Sequence, residues 1–162
     1  MMMKKMILRR LFVRSVYLIA TLLLISPSLP NAADFGVRGG VYPDENQPFL
    51  GAEAVFDVTK AGRWFGNPNV EHAFVDRGDL TAVSFDFHYD FPGGAPYTVW
   101  AGAGPTLIHR DMNRPGDRNT TDAGMNVLLG LGARKGDVRP YGQLKAVLAG
   151  DSEVVLGVGV RF

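Results

Sequence analysis

Strict alternation of oily and polar side chains leaves a chain few folds to choose from, and this 162-residue sequence alternates repeatedly. From Leu80 to Pro92 it reads LTAVSFDFHYDFP. Thr81, Val83, Phe85, Phe87, Tyr89 and Phe91 fall on one side, and Ala82, Ser84, Asp86, His88 and Asp90 on the other. A two-residue period is that of a β-strand, so this segment has one aromatic face and one small, ionisable face. Leu50, Ala52, Ala54, Phe56 and Val58 alternate likewise with Gly51, Glu53, Val55 and Asp57. Met125, Val127, Leu129 and Leu131 oppose Asn126, Leu128, Gly130 and Gly132. Val154, Leu156, Val158, Val160 and Phe162 oppose Glu153, Val155, Gly157, Gly159 and Arg161. The segment YTVWAGAGPTLIH leaves its register open, because Trp100 falls on the face opposite Tyr97 and Val99.

Turn-rich clusters interrupt these runs at short intervals: YPDENQP, TKAGR, DRGD, FPGGAP, RDMNRPGDRNTTD, RKGD and AGDS. They leave eight segments: Phe35 to Tyr42, Phe49 to Val58, Trp64 to Val75, Leu80 to Phe91, Tyr97 to His109, Ala123 to Ala133, Val138 to Leu148, and Glu153 to Phe162. Most run eight to thirteen residues, about the length a tilted strand needs to cross a bilayer. The expected fold is all-β, an eight-stranded antiparallel up-and-down transmembrane barrel with no helix in the mature chain. With both termini on one side, TKAGR, FPGGAP and RKGD turn on that side and RDMNRPGDRNTTD falls on the other. Short turns are thus expected on one rim and a longer polar loop on the opposite one.

Ahead of the first strand, Lys4, Lys5, Arg9, Arg10 and Arg14 form a positive region free of acids. Val16 to Ile25 is apolar, and SPSLPNAA ends in small residues. That order predicts a secretory signal peptide over residues 1–33, cleaved near Ala32 or Ala33, with the barrel domain occupying 34–162. The apolar run is short for a membrane-spanning helix, which needs about 20 residues. Losing the leader removes five of 17 basic residues and none of the 16 acidic ones, leaving 12 against 16 and a net charge of −4. A mature chain of that charge lacks the basic footprint of a nucleic-acid binder. The sequence has no cysteine, which excludes disulfides, thiolate metal sites, a thiol nucleophile and an acylated lipoprotein leader.

Alternation alone leaves two barrels open. A soluble periplasmic, lipocalin-like binder of small molecules turns the aromatic faces inward, and a membrane barrel turns them outward. The polar faces hold much glycine, alanine and serine, as a narrow interior filled by side chains requires. Their charges also balance: Arg38, Arg134, Arg139, Lys145 and Arg161 stand against Glu53, Asp57, Glu71, Asp86, Asp90 and Glu153. A closed lumen demands such pairing, because an unpaired buried charge is costly. A lumen network of Arg38, Glu53, Glu71, Asp86, His88, Arg134, Lys145 and Arg161 is therefore expected.

The chain ends GVGVRF, with apolar residues at every second position before Phe162. In this ending, and in the pattern of the whole mature chain, the sequence resembles the small eight-stranded outer-membrane β-barrel proteins, such as the OmpA transmembrane domain and OmpX. The resemblance implies that Phe162, Val160 and Gly157 form the signal read by the barrel-assembly machinery. Val155 stands where the family usually has a polar residue, two before that glycine. The resemblance further implies a monomer in the outer membrane of a Gram-negative bacterium, without cofactor, in contact with outer-membrane lipid and lipopolysaccharide. Its implied role is structural or interactive at the cell surface. Because an eight-stranded barrel is just wide enough for its own side chains, a general diffusion pore is not expected.

Ser84, Asp86 and His88 share one face and are the residue types of a serine hydrolase, and outer-membrane lipid A deacylases are also eight-stranded barrels. Ser84 and His88 lie about 13 Å apart along a strand at about 3.3 Å per residue, too far to pair. The His-x-Ser spacing of those deacylases is absent. No catalytic residue is assigned, and a lipid A acyl hydrolase stands as the alternative. His72, His88 and His109 lie on three segments, none with a second histidine at ligand spacing, so no metal site is expected. The glycines of WAGAGP and LLGLGA lack the following helix that a dinucleotide loop requires. RDMNRPGDRNTT mixes Arg110, Arg114 and Arg118 with Asp111 and Asp117. It is expected as a surface loop, where arginines can meet lipopolysaccharide phosphates.

Overall fold

The computed structural model describes residues 33–43, 47–60, 62–75, 78–93, 96–112, 119–150 and 152–162. The leader over 1–32 and the loop residues Arg114 and Arg118 lie outside the described residues. Eight strands follow in chain order: β1 (Asp34–Tyr42), β2 (Gln47–Asp57), β3 (Trp64–Val75), β4 (Gly78–Asp90), β5 (Tyr97–Met112), β6 (Thr120–Ala133), β7 (Arg139–Leu148) and β8 (Ser152–Arg161). Each pairs antiparallel with the next, and β1 pairs with β8 to close the barrel. Closure leaves no strand with an unpaired edge.

Each expected segment is a strand, its ends displaced by three residues at most. The largest displacements are in β5 and β6, which continue into the polar stretch through the pairs His109↔Thr121 and Arg110↔Thr120. A ladder already aligned by its neighbours propagates through polar residues, because the backbone carries it. The expected contrast between rims holds for one connection alone. The rim opposite the termini is connected through residues 43–46, 76–77, 113–119 and 149–151, and the terminal rim through 58–63, 91–96 and 134–138. Only the β5–β6 connection is longer than the turns at the terminal rim.

The oily faces point outward. Phe35, Leu50, Tyr97 and Val158 are 58–66% exposed on the outside of the barrel, whereas Glu71, Asp86 and Lys145 are 0–2% exposed within it. The open register of β5 resolves the same way: Tyr97 and Val99 face out, and Trp100, 1% exposed, faces in. Outward aromatics gather toward the terminal rim, where Trp64 opposes Tyr89 with rings 5.2 Å apart and Tyr89 meets Phe91 at 5.6 Å. Toward the other rim a polar row crosses four strands, the pairs His72↔Thr81, Thr81↔His109 and His109↔Thr121 standing directly opposite one another. His72 Nδ1 lies 3.0 Å from Thr81 Oγ1, and His109 Nδ1 2.9 Å from Thr121 Oγ1. From Thr81 to Phe91 is about 33 Å of strand at about 3.3 Å per residue, or about 25 Å of height at a tilt near 40°. That is the height of the apolar band that a transmembrane barrel presents to lipid.

Candidate functional site

Inward-facing residues of the eight strands stack in three layers. Toward the rim away from the termini, Tyr42, Phe49, Leu80, Ile108, Val147 and Val155 form a dry cluster with Ala73 and Ala82. Tyr42 and Phe49 meet edge to face, their rings 5.6 Å apart. Charged groups fill the middle. Trp100, Tyr141 and Leu128 pack together toward the termini, with His88 stacked on Phe65 at 5.2 Å.

The middle layer is a connected ion network. Arg38 Nη2 lies 2.5 Å from Glu71 Oε1 and its Nη1 3.5 Å from Glu53 Oε2. Lys145 Nζ donates to Glu71 Oε2 at 2.6 Å, and Tyr42 OH donates to the same oxygen at 3.1 Å. Glu53 accepts from Arg161 Nε at 2.8 Å and from Asn67 Nδ2 at 2.7 Å. Asp86 is held by amides, accepting from Asn69 at 2.9 Å and from Asn126 at 2.9 Å. Arg38, Lys145 and Arg161 thus share Glu53 and Glu71, and with Asp86, held by its two asparagines, the layer counts three cations and three carboxylates. Such balance is what permits ions to be buried, since each pays a desolvation penalty that its partners must offset.

Glycine makes room for the terminal layer. A Cβ on Gly130 would stand 2.1 Å from Cε2 of Trp100, and one on Gly159 2.6 Å from the ring of Tyr141, so both aromatics lie flat against neighbouring backbone. The guanidinium of Arg161 sits over both rings, 4.5 Å from Tyr141 and 5.0 Å from Trp100, a cation–π arrangement. Below them a cavity of about 190 Å³ opens at the terminal rim.

The expected site residues divide by place. Arg38, Glu53, Glu71, Asp86, Lys145 and Arg161 meet in the lumen network, and His88 is buried beside it, its Nε2 3.6 Å from Asp90. Arg134 does not join them: it is exposed at the β6–β7 turn and donates to the carbonyl of Gly93 at 2.7 Å. It directly follows the end of β6, so alternation carried one residue too far. Asp57, at the last position of β2, is exposed for the same reason. Arg110 is corrected in the opposite direction. It belongs to β5 rather than to a surface loop, is largely buried, and pairs with Glu153 and, at 3.3 Å, with Asp122.

Ser84, Asp86 and His88 are not brought together. Ser84 Oγ lies 2.9 Å from Thr106 Oγ1, Asp86 is taken by the two asparagines, and His88 stands in the aromatic layer. Gly157 faces the lumen 3.5 Å from Phe49 as its Cβ would be placed, while Phe162 is exposed outside with its N–H donating to the Phe35 carbonyl at 2.8 Å. Among the described residues no group of three or more His, Cys, Asp or Glu could hold a metal ion. Asn67, Asn69 and Asn126 join the network in addition to the expected residues. Asn67, Asn69 and Glu71 alternate along β3, and asparagine is depleted in strands, a signal of polar work on that face.

No protein-family model and no curated protein matches the chain. Solved structures do. The N-terminal β-barrel domain of Pseudomonas aeruginosa OprF matches with a TM-score of 0.67 and 18% identity, over 80% of this chain and 95% of that one. Neisserial surface protein A (NspA) matches with a TM-score of 0.60 and 16% identity, over 80% and 92%. Ail, the attachment invasion locus protein of Yersinia pestis, matches with a TM-score of 0.53 and 13% identity, over 80% and 95%. At these identities the likeness is one of fold, and the fold is that of the small eight-stranded outer-membrane β-barrels.

Proposed function

We propose that the chain is an integral outer-membrane protein with a structural or cell-surface interaction role, and that its filled lumen keeps it from acting as a general pore. The observation that carries this is the inversion of the barrel, oily outside over about 25 Å and ionic inside. A soluble barrel would expose Phe35, Leu50 and Val158 to water, and contiguous apolar surface of that extent marks contact with lipid or protein. The dry cluster around Phe49 and the ion layer around Glu71 block a straight aqueous path. In this account residues 1–33 direct export, the assembly machinery reads Gly157, Val160 and Phe162, and the mature barrel is monomeric. The His72–Thr121 row lies at headgroup level, so the rim beyond it meets lipopolysaccharide, whose phosphates Arg114 and Arg118 would bind.

Fractionation of cells producing the full chain tests this. The mature protein should pellet with the envelope, require detergent for extraction, and migrate faster on a denaturing gel unheated than boiled. Release into the aqueous fraction without detergent would instead support a soluble binder.

A further inference from the structure

At the terminal rim the lumen opens into the cavity of about 190 Å³, walled by His88, Trp100, Tyr141 and Arg161 and edged by Arg139 and Arg134. Arg139 and Arg161 stand directly opposite each other on β7 and β8. Like charges in that relation destabilise a sheet unless something compensates them. Asp34 pairs with Arg139 at 2.6 Å and Glu53 with Nε of Arg161 at 2.8 Å, yet Nη2 of Arg161 is buried with no hydrogen-bond partner among the described residues. Nε1 of Trp100, which can only donate, is buried without a partner too. The charged lining comprises Arg63, Arg134, Arg139 and Arg161 against Asp34 and Asp90; with Glu53 counted on Arg161 one positive charge remains over, and Arg63 and Arg134 engage only neutral oxygens, the Tyr89 hydroxyl at 3.3 Å and the Gly93 carbonyl at 2.7 Å. Asp90 is partly engaged, accepting from Thr98 at 3.1 Å through one oxygen with His88 3.6 Å from the other.

We propose that this cavity binds a small oxyanion, a carboxylate or phosphate group, clamped between Arg161 and Arg139 and oriented by the indole N–H of Trp100. A guanidinium presents its donors as a planar fork that matches either group. Water, at about 30 Å³ per molecule, fits the cavity but carries no charge. It leaves the remaining positive charge standing, whereas an anion offsets it. Gly130 and Gly159 hold the aromatic walls flat, so the donors are positioned before the ligand arrives.

Trp64→Phe leaves Trp100 as the single tryptophan. In mature protein folded in detergent and an amine chloride buffer, its fluorescence should change saturably with sodium acetate or sodium phosphate, and not with sodium chloride at equal ionic strength. A response to one salt alone assigns the group as carboxylate or phosphate. Arg139→Gln and Arg161→Gln, each checked for folding by unheated gel migration, should raise the midpoint about tenfold or more, and Lys135→Gln in the exposed turn should not. Should an arginine variant fail to fold, the same salts added to the unaltered protein should raise the temperature at which the folded gel band is lost. Absence of both the saturable signal and the thermal shift overturns the proposal, and so does a midpoint unmoved in the folded arginine variants.

Discussion

Lys145 Nζ sits 2.6 Å from Glu71 Oε2 in the middle of the lumen, both side chains sealed from solvent. Glu71 also holds Arg38 and Tyr42, so the two ends of this pair are not equivalent. Glu71→Gln leaves Lys145 without its carboxylate and strips one from Arg38. It should cost about 3 to 5 kcal/mol, the range for breaking a buried pair. Lys145→Met leaves Glu71 its other partners and should cost less. Urea unfolding of protein folded into lipid vesicles ranks the two, and the reverse order would contradict the network as described.

Phe85 and Ser84 are chain neighbours on opposite faces. Phe85→Lys puts a charge at mid-height on the lipid side and should cost about 2 to 4 kcal/mol. Ser84→Ala removes only the hydroxyl contact with Thr106 and should cost about 1 kcal/mol. The same vesicle assay compares them, and a milder Phe85→Lys would mean that the outer face is not in lipid.

Gly130 and Trp100 fit as backbone against ring. Gly130→Ala forces the indole from its place and should destabilise by about 1 to 3 kcal/mol, the usual cost of overpacking. In a Trp100→Ala background the same change should cost little, so a double-mutant cycle reads the contact directly. Additive effects would show that the ring does not lie there.

Deleting Phe162 tests its role in assembly apart from stability. Its side chain is exposed and its structural tie is one backbone hydrogen bond to Phe35. The truncated chain should fold in detergent almost as well as the full one yet insert poorly in cells. Normal insertion would remove the terminal signal from the account.

Much of this architecture is legible in the sequence alone, because a period of two is a local property. The face of Phe85 and that of Asp86 follow from one strand alone. What one strand does not reveal is where a neighbour stops pairing. Arg134 and Asp57 continue the inward alternation by count but lie where the ladder ends and water begins, and Arg110 reads as loop although Thr120 opposite keeps it in the sheet. The face of Trp100 was ambiguous for a related reason. A large indole looks foreign to a narrow lumen until Gly130, on the adjacent strand, is seen to vacate the space it occupies. The amide pair around Asp86 brings together Asn69 and Asn126 from β3 and β6, a meeting that only barrel closure produces.

The two tryptophans report from opposite sides of one wall whether the oily faces meet hydrocarbon and the charged faces do not. Trp64 is exposed outside and Trp100 is buried inside. In vesicles of lipid brominated along its acyl chains, the Trp100→Phe variant, which keeps Trp64, should be strongly quenched relative to unbrominated lipid, and the Trp64→Phe variant, which keeps Trp100, nearly unchanged. Quenching of Trp100 as strong as that of Trp64, or quenching of neither, would mean that the barrel is not turned oily side out into lipid.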